Sequence, residues 1–148
     1  MSRPILHATD FSPASRPAFA KALDMARRER APLLIAHVLS PPTPMMTGEG
    51  YVTPSIWDEI TQGYRRTAQK QLDALLSRAK RAGVRARGLL LEGTPAADVI
   101  VRAAKARHAG TIVLGTHGRS GVARMLLGSV AARVVASAPC PVMTVRGA

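Results

Sequence analysis

The chain has few of the residue types that would point to several common classes of protein. Its 148 residues include one cysteine, Cys140, which cannot form an internal disulfide and leaves no cysteine cluster for a metal. Aromatic residues make up 3% of the chain, too few for the interleaved stacking surfaces of single-strand nucleic-acid binders. No apolar run approaches the roughly 18 to 20 residues of a membrane-spanning helix. A disulfide scaffold and an integral membrane protein are therefore excluded.

The amino terminus also lacks the sustained apolar segment and cleavage site of a secretory signal. Residues Met1 to His7 lead directly to the charged Asp10. We therefore expect a cytoplasmic protein. Its length is sufficient for one hydrophobic core, and we expect residues 1–148 to form a single domain.

Acidic residues are scarce, and net charge is the most unusual bulk property of the chain. Lysine and arginine number 21 against nine aspartate and glutamate residues, which gives a formal net charge of +12. Such an excess favours an anionic partner. The basic residues are nevertheless spread over predicted helix faces, as at Arg27, Arg28 and Arg30, a pattern typical of solvated helical surfaces. A nucleic-acid partner, which steep salt dependence would reveal, is therefore the less favoured interpretation.

Short apolar runs alternate with longer amphipathic segments along the chain. This alternation predicts an α/β fold in which an open five-stranded parallel sheet carries helices on both faces. Ser15 and Thr94 are the candidate helix N-caps, and Pro95 is expected in the first helical position. Residues 40–54 form a loop rich in proline and glycine, either a lid or a disordered excursion. The predicted strands are 4–8, 33–39, 85–91, 111–114 and 141–146, and the predicted helices are 15–30, 55–82, 94–108 and 129–138.

One glycine-containing segment, between the fourth strand and the last helix, has the chemistry of a phosphate site. It includes Gly115, Gly118 and Arg119 and ends at Gly128 and Ser129. Glycine permits close approach of the backbone to a ligand, and the start of a helix presents unpaired amide groups. Arginine adds positive charge, so the segment predicts binding of nucleotide phosphates. The spacing matches neither a Walker A loop nor the dinucleotide fingerprint, and a purely structural glycine loop is the alternative.

The spacing Gly115-x2-Gly118-x9-Gly128-Ser129 resembles the ATP-binding signature of the universal stress protein family. Matching motifs occur in the same order along nearly the whole chain. The flanking motifs that fit this family are Thr9-Asp10-Phe11-Ser12, Ala36-His37-Val38 and Pro139-Cys140-Pro141-Val142.

The resemblance implies a Rossmann-like sheet of the adenine nucleotide alpha hydrolase type, with strand order 3-2-1-4-5. ATP, or alternatively ADP or AMP, would lie across the carboxyl ends of the first and fourth strands. Asp10 would lie near the ribose or a phosphate-bound Mg²⁺ or Mn²⁺, and Val38 would contact adenine through its backbone. The nucleotide-binding residues implied in this way are Ala8, Thr9, Asp10, Val38, Gly115, Thr116, His117, Gly118, Arg119, Gly128, Ser129 and Val130.

The family resemblance also implies a homodimer formed by pairing of the last strand, Val142 to Arg146. The leading hypothesis is an ATP-binding stress-response protein that acts as a sensor or regulatory module and needs no catalytic residue. A slow Mg²⁺- or Mn²⁺-dependent ATPase with His117 near the terminal phosphate is one alternative, and a basic nucleic-acid-associated protein is another. His7 and His37 are interpreted as hydrogen-bonded groups of the core or of the pocket wall.

Overall fold

The computed structural model describes residues 2–40, 53–117 and 127–147, and its centre is one parallel β-sheet of five strands. Every predicted strand and helix is present, with ends that differ from the prediction by at most two residues. The strands are β1 (Ile5–Ala8), β2 (Leu33–Leu39), β3 (Ala86–Glu92), β4 (Thr111–Gly115) and β5 (Val142–Val145). The helices are α1 (Arg16–Glu29), α2 (Pro54–Arg81), α3 (Ala96–Ala106) and α4 (Ser129–Ser137), and a 3-10 turn (Pro13–Ser15) precedes α1.

The strands lie in the order β3-β2-β1-β4-β5, and all neighbours are parallel. The predicted fold class is therefore confirmed, together with the strand order that the family resemblance implied. The chain moves outward from β1 to β3 and then returns to place β4 on the other side of β1. Open parallel sheets bind ligands beside such a reversal, at the carboxyl ends of the strands.

The two faces of the sheet are covered by different pairs of helices. Ile5, Ile35 and Val113 pack against α1 and α2, whereas Leu6 and Ile112 belong to the core that α3 and α4 cover. All four residues of β1 are buried, which explains why this strand is continuously apolar apart from His7. Within the described residues, no helix combines the length and the apolar character needed to cross a bilayer.

The start of α3 differs from the prediction. Pro95, rather than Thr94, is the N-cap residue, and its carbonyl accepts hydrogen bonds from the amides of Asp98 and Val99 at 3.1 and 3.2 Å. The fixed φ of proline suits an extended N-cap as well as a first helical turn, so the sequence pattern did not distinguish the two positions. Ser15 is the N-cap of α1 as predicted, although its hydroxyl makes no capping hydrogen bond.

Candidate functional site

A cleft of about 870 Å³ opens at the carboxyl edge of the sheet. Ala8 and Ala36 are neighbours in register on β1 and β2, and both line the cleft. Their small side chains leave room where leucine or isoleucine would fill the space. The volume is within the range of roughly 300 to 1,000 Å³ that is typical of small-molecule sites.

Ten of the twelve residues that the resemblance implicates in nucleotide binding line this one cleft. Gly118 and Arg119 lie outside the described residues. The structure thus brings together the end of β1, the end of β2 and the two ends of the β4–α4 connection, and the role of these residues in binding stays a prediction. The ten lining residues are Ala8, Thr9, Asp10, Val38, Gly115, Thr116, His117, Gly128, Ser129 and Val130.

Thr9 uses its carbonyl and hydroxyl groups to hold the turn that follows β1. Its carbonyl accepts a hydrogen bond from Nδ1 of His37 at 2.8 Å, and its hydroxyl oxygen accepts one from the amide of Phe11 at 3.0 Å. The Ser15 hydroxyl donates to the Ser12 carbonyl at 2.7 Å, so the Thr9 hydroxyl is the donor in its 3.2 Å contact with Ser15. We conclude that Thr9 positions this turn, while its side chain forms part of the cleft wall.

The carboxylate of Asp10 is oriented by the same turn. Its Oδ1 accepts a hydrogen bond from the amide of Ser12 at 2.9 Å, which is an Asx-turn arrangement. Phe11 has a φ of +64°, a left-handed conformation that is uncommon for residues other than glycine. The Phe11 ring packs on the imidazole of His37 with 4.3 Å between ring centroids. His37 is buried and lines the cleft, so its predicted role as a hydrogen-bonded wall residue is confirmed.

The start of α4 lines the same cleft as Asp10. The amide of Gly128 donates to the carbonyl of Thr116 at 2.6 Å, so the expectation that this amide is unpaired is wrong. A Cβ atom at Gly128 would lie 2.8 Å from the same oxygen, and glycine is therefore needed for this close approach. The amides of Ser129 and Val130, in the first turn of α4, have no acceptor among the described residues. This helix end carries partial positive charge and suits an anion.

His117 places a second hydrogen-bonding group beside the start of α4. Its Nδ1 lies 3.0 Å from the hydroxyl oxygen of Thr116, and its buried Nε2 has no partner among the described residues. When the hydroxyl of Thr116 donates to Nδ1, the proton of the neutral ring is on Nε2. In that tautomer, Nε2 of His117 can donate a hydrogen bond to a phosphate oxygen.

His7 lies on the face of the sheet that α1 and α2 cover, away from the cleft. Its ring is fully buried, and Nδ1 donates to the carbonyl of Val113 at 3.0 Å. Burial lowers the pKa of His7 to about 4, more strongly than the Val113 hydrogen bond and the charge of Asp10 raise it. His7 is therefore a neutral core residue, as the sequence analysis expected.

Helix α2 provides the outer wall of the cleft, and none of its residues was predicted to belong to the site. Ile60, Gly63, Tyr64, Thr67 and Gln71 all line the cleft and recur every three or four residues, as one helix face does. One local signal was available, because Gly63 lies in a helix interior, where glycine is less stable than alanine by about 1 kcal/mol. A Cβ atom at Gly63 would meet nothing within 4 Å, which shows that this position faces open space.

Three comparisons with known proteins agree with this architecture. Residues 1–146 match the model of the Universal stress protein family. Universal stress protein YxiE of Bacillus subtilis is 34% identical over 149 aligned residues, which cover 99% of this chain and 100% of the relative. A universal stress protein solved in complex with cAMP is 26% identical, with a TM-score of 0.69 over 99% of this chain and 98% of the other.

A second solved structure, the universal stress protein of Archaeoglobus fulgidus in complex with dAMP, is also 26% identical. Its TM-score is 0.66, and the match covers 98% of each chain. The family match extends over nearly the whole sequence, and the fold, the strand order and the cleft are consistent with it. The chain belongs to the universal stress protein family.

Proposed function

We propose that this protein binds an adenine nucleotide in the cleft and acts in the stress response as a regulatory module that senses occupancy of the site. The observation that carries the proposal is the convergence of Asp10, His117 and the first turn of α4 on one cleft beside the strand-order reversal. The two similar structures in complex with cAMP and dAMP support the ligand class. ATP is the specific ligand that we propose from the glycine spacing, with ADP and AMP as alternatives.

In the proposed complex the phosphates lie at the start of α4. The amides of Ser129 and Val130, the hydroxyl of Ser129 and Nε2 of His117 would each donate a hydrogen bond to phosphate oxygens. The base would lie toward the end of β2, where Val38 forms part of the apolar wall. Asp10, which lines the cleft, would accept hydrogen bonds from ribose hydroxyls. Gly118 and Arg119 are assigned to the phosphates by the resemblance alone.

A divalent ion belongs to this proposal as a partner of the bound phosphates. Asp10 offers the carboxylate oxygen that Mg²⁺ and Mn²⁺ favour, and the Ser12 amide fixes the orientation of that carboxylate. The ion would neutralise phosphate charge near the end of β1. Among the described residues, no group of three or more His, Cys, Asp or Glu side chains is arranged to hold a metal.

The nucleotide proposal is tested by denaturing freshly purified protein and identifying any released nucleotide by chromatography. We expect an adenine nucleotide, and we expect added ATP, ADP or AMP to raise the melting temperature of the emptied protein. A ligand at 100 times its Kd adds about 2.7 kcal/mol to the unfolding free energy, or several degrees for a chain of this size. GTP is the control ligand. An empty protein that no adenine nucleotide stabilises would refute the proposal.

A matched pair of variants in α4 tests the assignment of Ser129. Ser129→Ala is expected to weaken nucleotide binding about tenfold, the loss of one hydrogen bond to a charged group. Ser137→Ala removes a hydroxyl at the other end of the same helix, where it donates to the carbonyl of Arg133 at 2.7 Å, and should leave binding unchanged. Equal affinities for the two variants would remove Ser129 from the phosphate site.

We also propose that two copies of the chain pair along β5, which lies at the edge of the sheet. The carbonyl of Pro141 accepts a hydrogen bond from Ile112 of β4, and that of Val145 accepts one from Thr116, directly after β4. Backbone direction alternates along a strand, so Thr144 directs its amide and carbonyl away from β4 toward the open edge. An unpaired edge of this kind is a template for another strand.

Thr144→Pro is expected to convert the dimer to a monomer. Proline removes the amide that would cross the interface, and an edge strand tolerates it because the hydrogen bonds to β4 are kept. Light scattering should give twice the 15.7 kDa chain mass for the wild type and for Thr144→Val, and 15.7 kDa for Thr144→Pro. A monomeric wild type, or a proline variant that stays dimeric, would contradict pairing through β5.

A further inference from the structure

A set of basic side chains lies along the edge of the sheet opposite the cleft. In a parallel sheet with helical crossovers, the helices end and the strands begin at this amino edge. The segments that precede β1, β2, β3 and β4 are rich in arginine and lysine, and we call their basic residues the basic edge. Its nine members, all exposed, are Arg3, Arg27, Arg28, Arg30, Lys80, Arg81, Arg85, Lys105 and Arg107.

The four segments are neighbours in space although they are far apart in the sequence. The strands that they precede are adjacent in the order β3-β2-β1-β4. Neighbouring strands are about 4.8 Å apart, so the four strand starts span about 15 Å. Backbone hydrogen bonds hold them together: the amide of Leu33, the first residue of β2, donates to the carbonyl of Arg85 at 2.9 Å, and the amide of Gly110 donates to the carbonyl of Pro4 at 2.8 Å.

The positive charge of the basic edge is mostly unneutralised. The same segments contain two acidic residues, Asp24 and Glu29, and Asp24 pairs with Arg28 at 3.1 Å. The other two ion pairs of the described residues involve Glu92 and Asp98, near the opposite edge. The carboxyl-terminal ends of α1, α2 and α3 each contribute about half a negative charge, which leaves a local excess of roughly +5.

Helix-end electrostatics explain only part of this arrangement. Cations are favoured in the last turn of a helix, which accounts for residues such as Arg27 and Lys105. Arg3 and Arg85 belong to no helix, yet they extend the same edge. An exposed patch of one sign raises the local concentration of an oppositely charged partner and its rate of association.

We infer that the basic edge binds the phosphate backbone of double-stranded nucleic acid, independently of base sequence. Seven of its nine members are arginines, whose planar guanidinium groups form paired hydrogen bonds with phosphate. Phe, Tyr and Trp are absent from residues 2–4, 24–32, 79–85 and 103–110, so the edge has no platform on which single-stranded bases would stack.

These segments also expose no large apolar side chain that would favour a membrane or a protein partner. The exposed large hydrophobic side chains of the described residues lie elsewhere, and a surface without them has nothing to insert into a bilayer. It likewise lacks the apolar centre of a protein interface. Those exposed hydrophobic residues are Ile56, Ile60, Tyr64, Leu127, Val130 and Val135.

The experiment measures fluorescence anisotropy of a labelled 20-base-pair DNA duplex between 50 and 300 mM salt. If about five phosphates are neutralised, the logarithm of the affinity should fall with the logarithm of salt concentration with a slope of about −4 to −5. The test variant combines Arg27→Gln, Arg81→Gln and Arg107→Gln. The control variant combines Lys21→Gln, Arg66→Gln and Lys70→Gln, exposed residues outside the edge, and removes the same charge.

We expect the test variant to bind the duplex about 30-fold more weakly or worse at 100 mM salt, with a slope smaller by about 3. The control variant should remain within a few-fold of the wild type. Both variants should keep the wild-type melting temperature, which shows that they fold. Equal losses in the two variants would overturn the inference, because total charge rather than the edge would then be responsible.

Two further results would also overturn it. One is tighter binding of a single strand of the same length, and the other is binding to vesicles that contain phosphatidylserine without binding to the duplex. No nucleotide is present in these measurements, so failure of the nucleotide proposal would leave their outcome unaffected.

Discussion

Replacing Gly63 with tryptophan is expected to weaken adenine-nucleotide binding at least tenfold without lowering the stability of the protein. Gly63 lies in the interior of α2 and lines the cleft, and a Cβ atom there would meet no protein atom within 4 Å. The indole would therefore occupy space that the ligand needs. Replacement of a helix-interior glycine by another residue adds a few tenths of a kcal/mol to stability. Calorimetric titration with ATP and a thermal melt measure the two effects.

Gly63→Ala is the matched control, because it makes the same change in backbone freedom with little added volume. Its unfolding free energy should rise by about 1 kcal/mol and its melting temperature by about 3 °C, with nucleotide affinity within threefold of wild type. A tryptophan variant that binds as tightly as the wild type would show that the ligand does not lie under α2. An alanine variant that loses equal affinity would show that the effect is not steric.

Lowering the pH from 7 to 5 is expected to reduce the unfolding free energy by about 2 kcal/mol through protonation of His7 in the unfolded chain. Burial lowers the pKa of His7 to about 4 in the folded protein, whereas a histidine in the unfolded chain has its ordinary pKa of 6.5. Between these two values the unfolded chain binds a proton that the folded chain does not, so acid favours unfolding. The loss reaches about 3 kcal/mol below pH 4 and is absent above pH 7.

Urea unfolding of the wild type and of His7→Asn across this pH range isolates the contribution. Asparagine at position 7 can still donate to the carbonyl of Val113 but does not titrate, so the variant should be less sensitive to acid by about 2 kcal/mol. Parallel pH profiles for the wild type and His7→Asn would contradict the prediction.

Elements with strong local patterns could be predicted from the sequence. The apolar run Leu33–Leu39, between Pro32 and Ser40, gave both ends of β2 correctly. The end of α2 followed from Gly83, whose φ of +77° is a conformation that glycine adopts readily. The order of the strands depends on contacts between distant segments, and only the family resemblance supplied it.

The residues of the candidate site likewise include some that the sequence predicted and some that it did not. Asp10 and Ser129 stand where a strand ends or a helix begins, and such positions in a parallel sheet meet at one edge. Tyr64 and Gln71 are on an exposed helix. A helix face that lines an open cleft has the same polar composition as one that faces solvent, so the sequence pattern did not distinguish them. Arg85 and Arg107, which precede β3 and β4, were brought to the same edge of the sheet only by the fold. For that reason the basic residues looked dispersed in the sequence.

Helix α2 is long enough for its first half to form the cleft wall while its second half packs in the core. Its 28 residues extend about 42 Å, far more than the seven-residue strands beneath it, which extend about 23 Å. Its buried residues are Ala68, Leu72 and Ala79, so the first half of the helix forms the cleft wall without joining the core. Substitutions in that half should therefore change the shape of the cleft with little effect on folding, so the two properties can be altered independently.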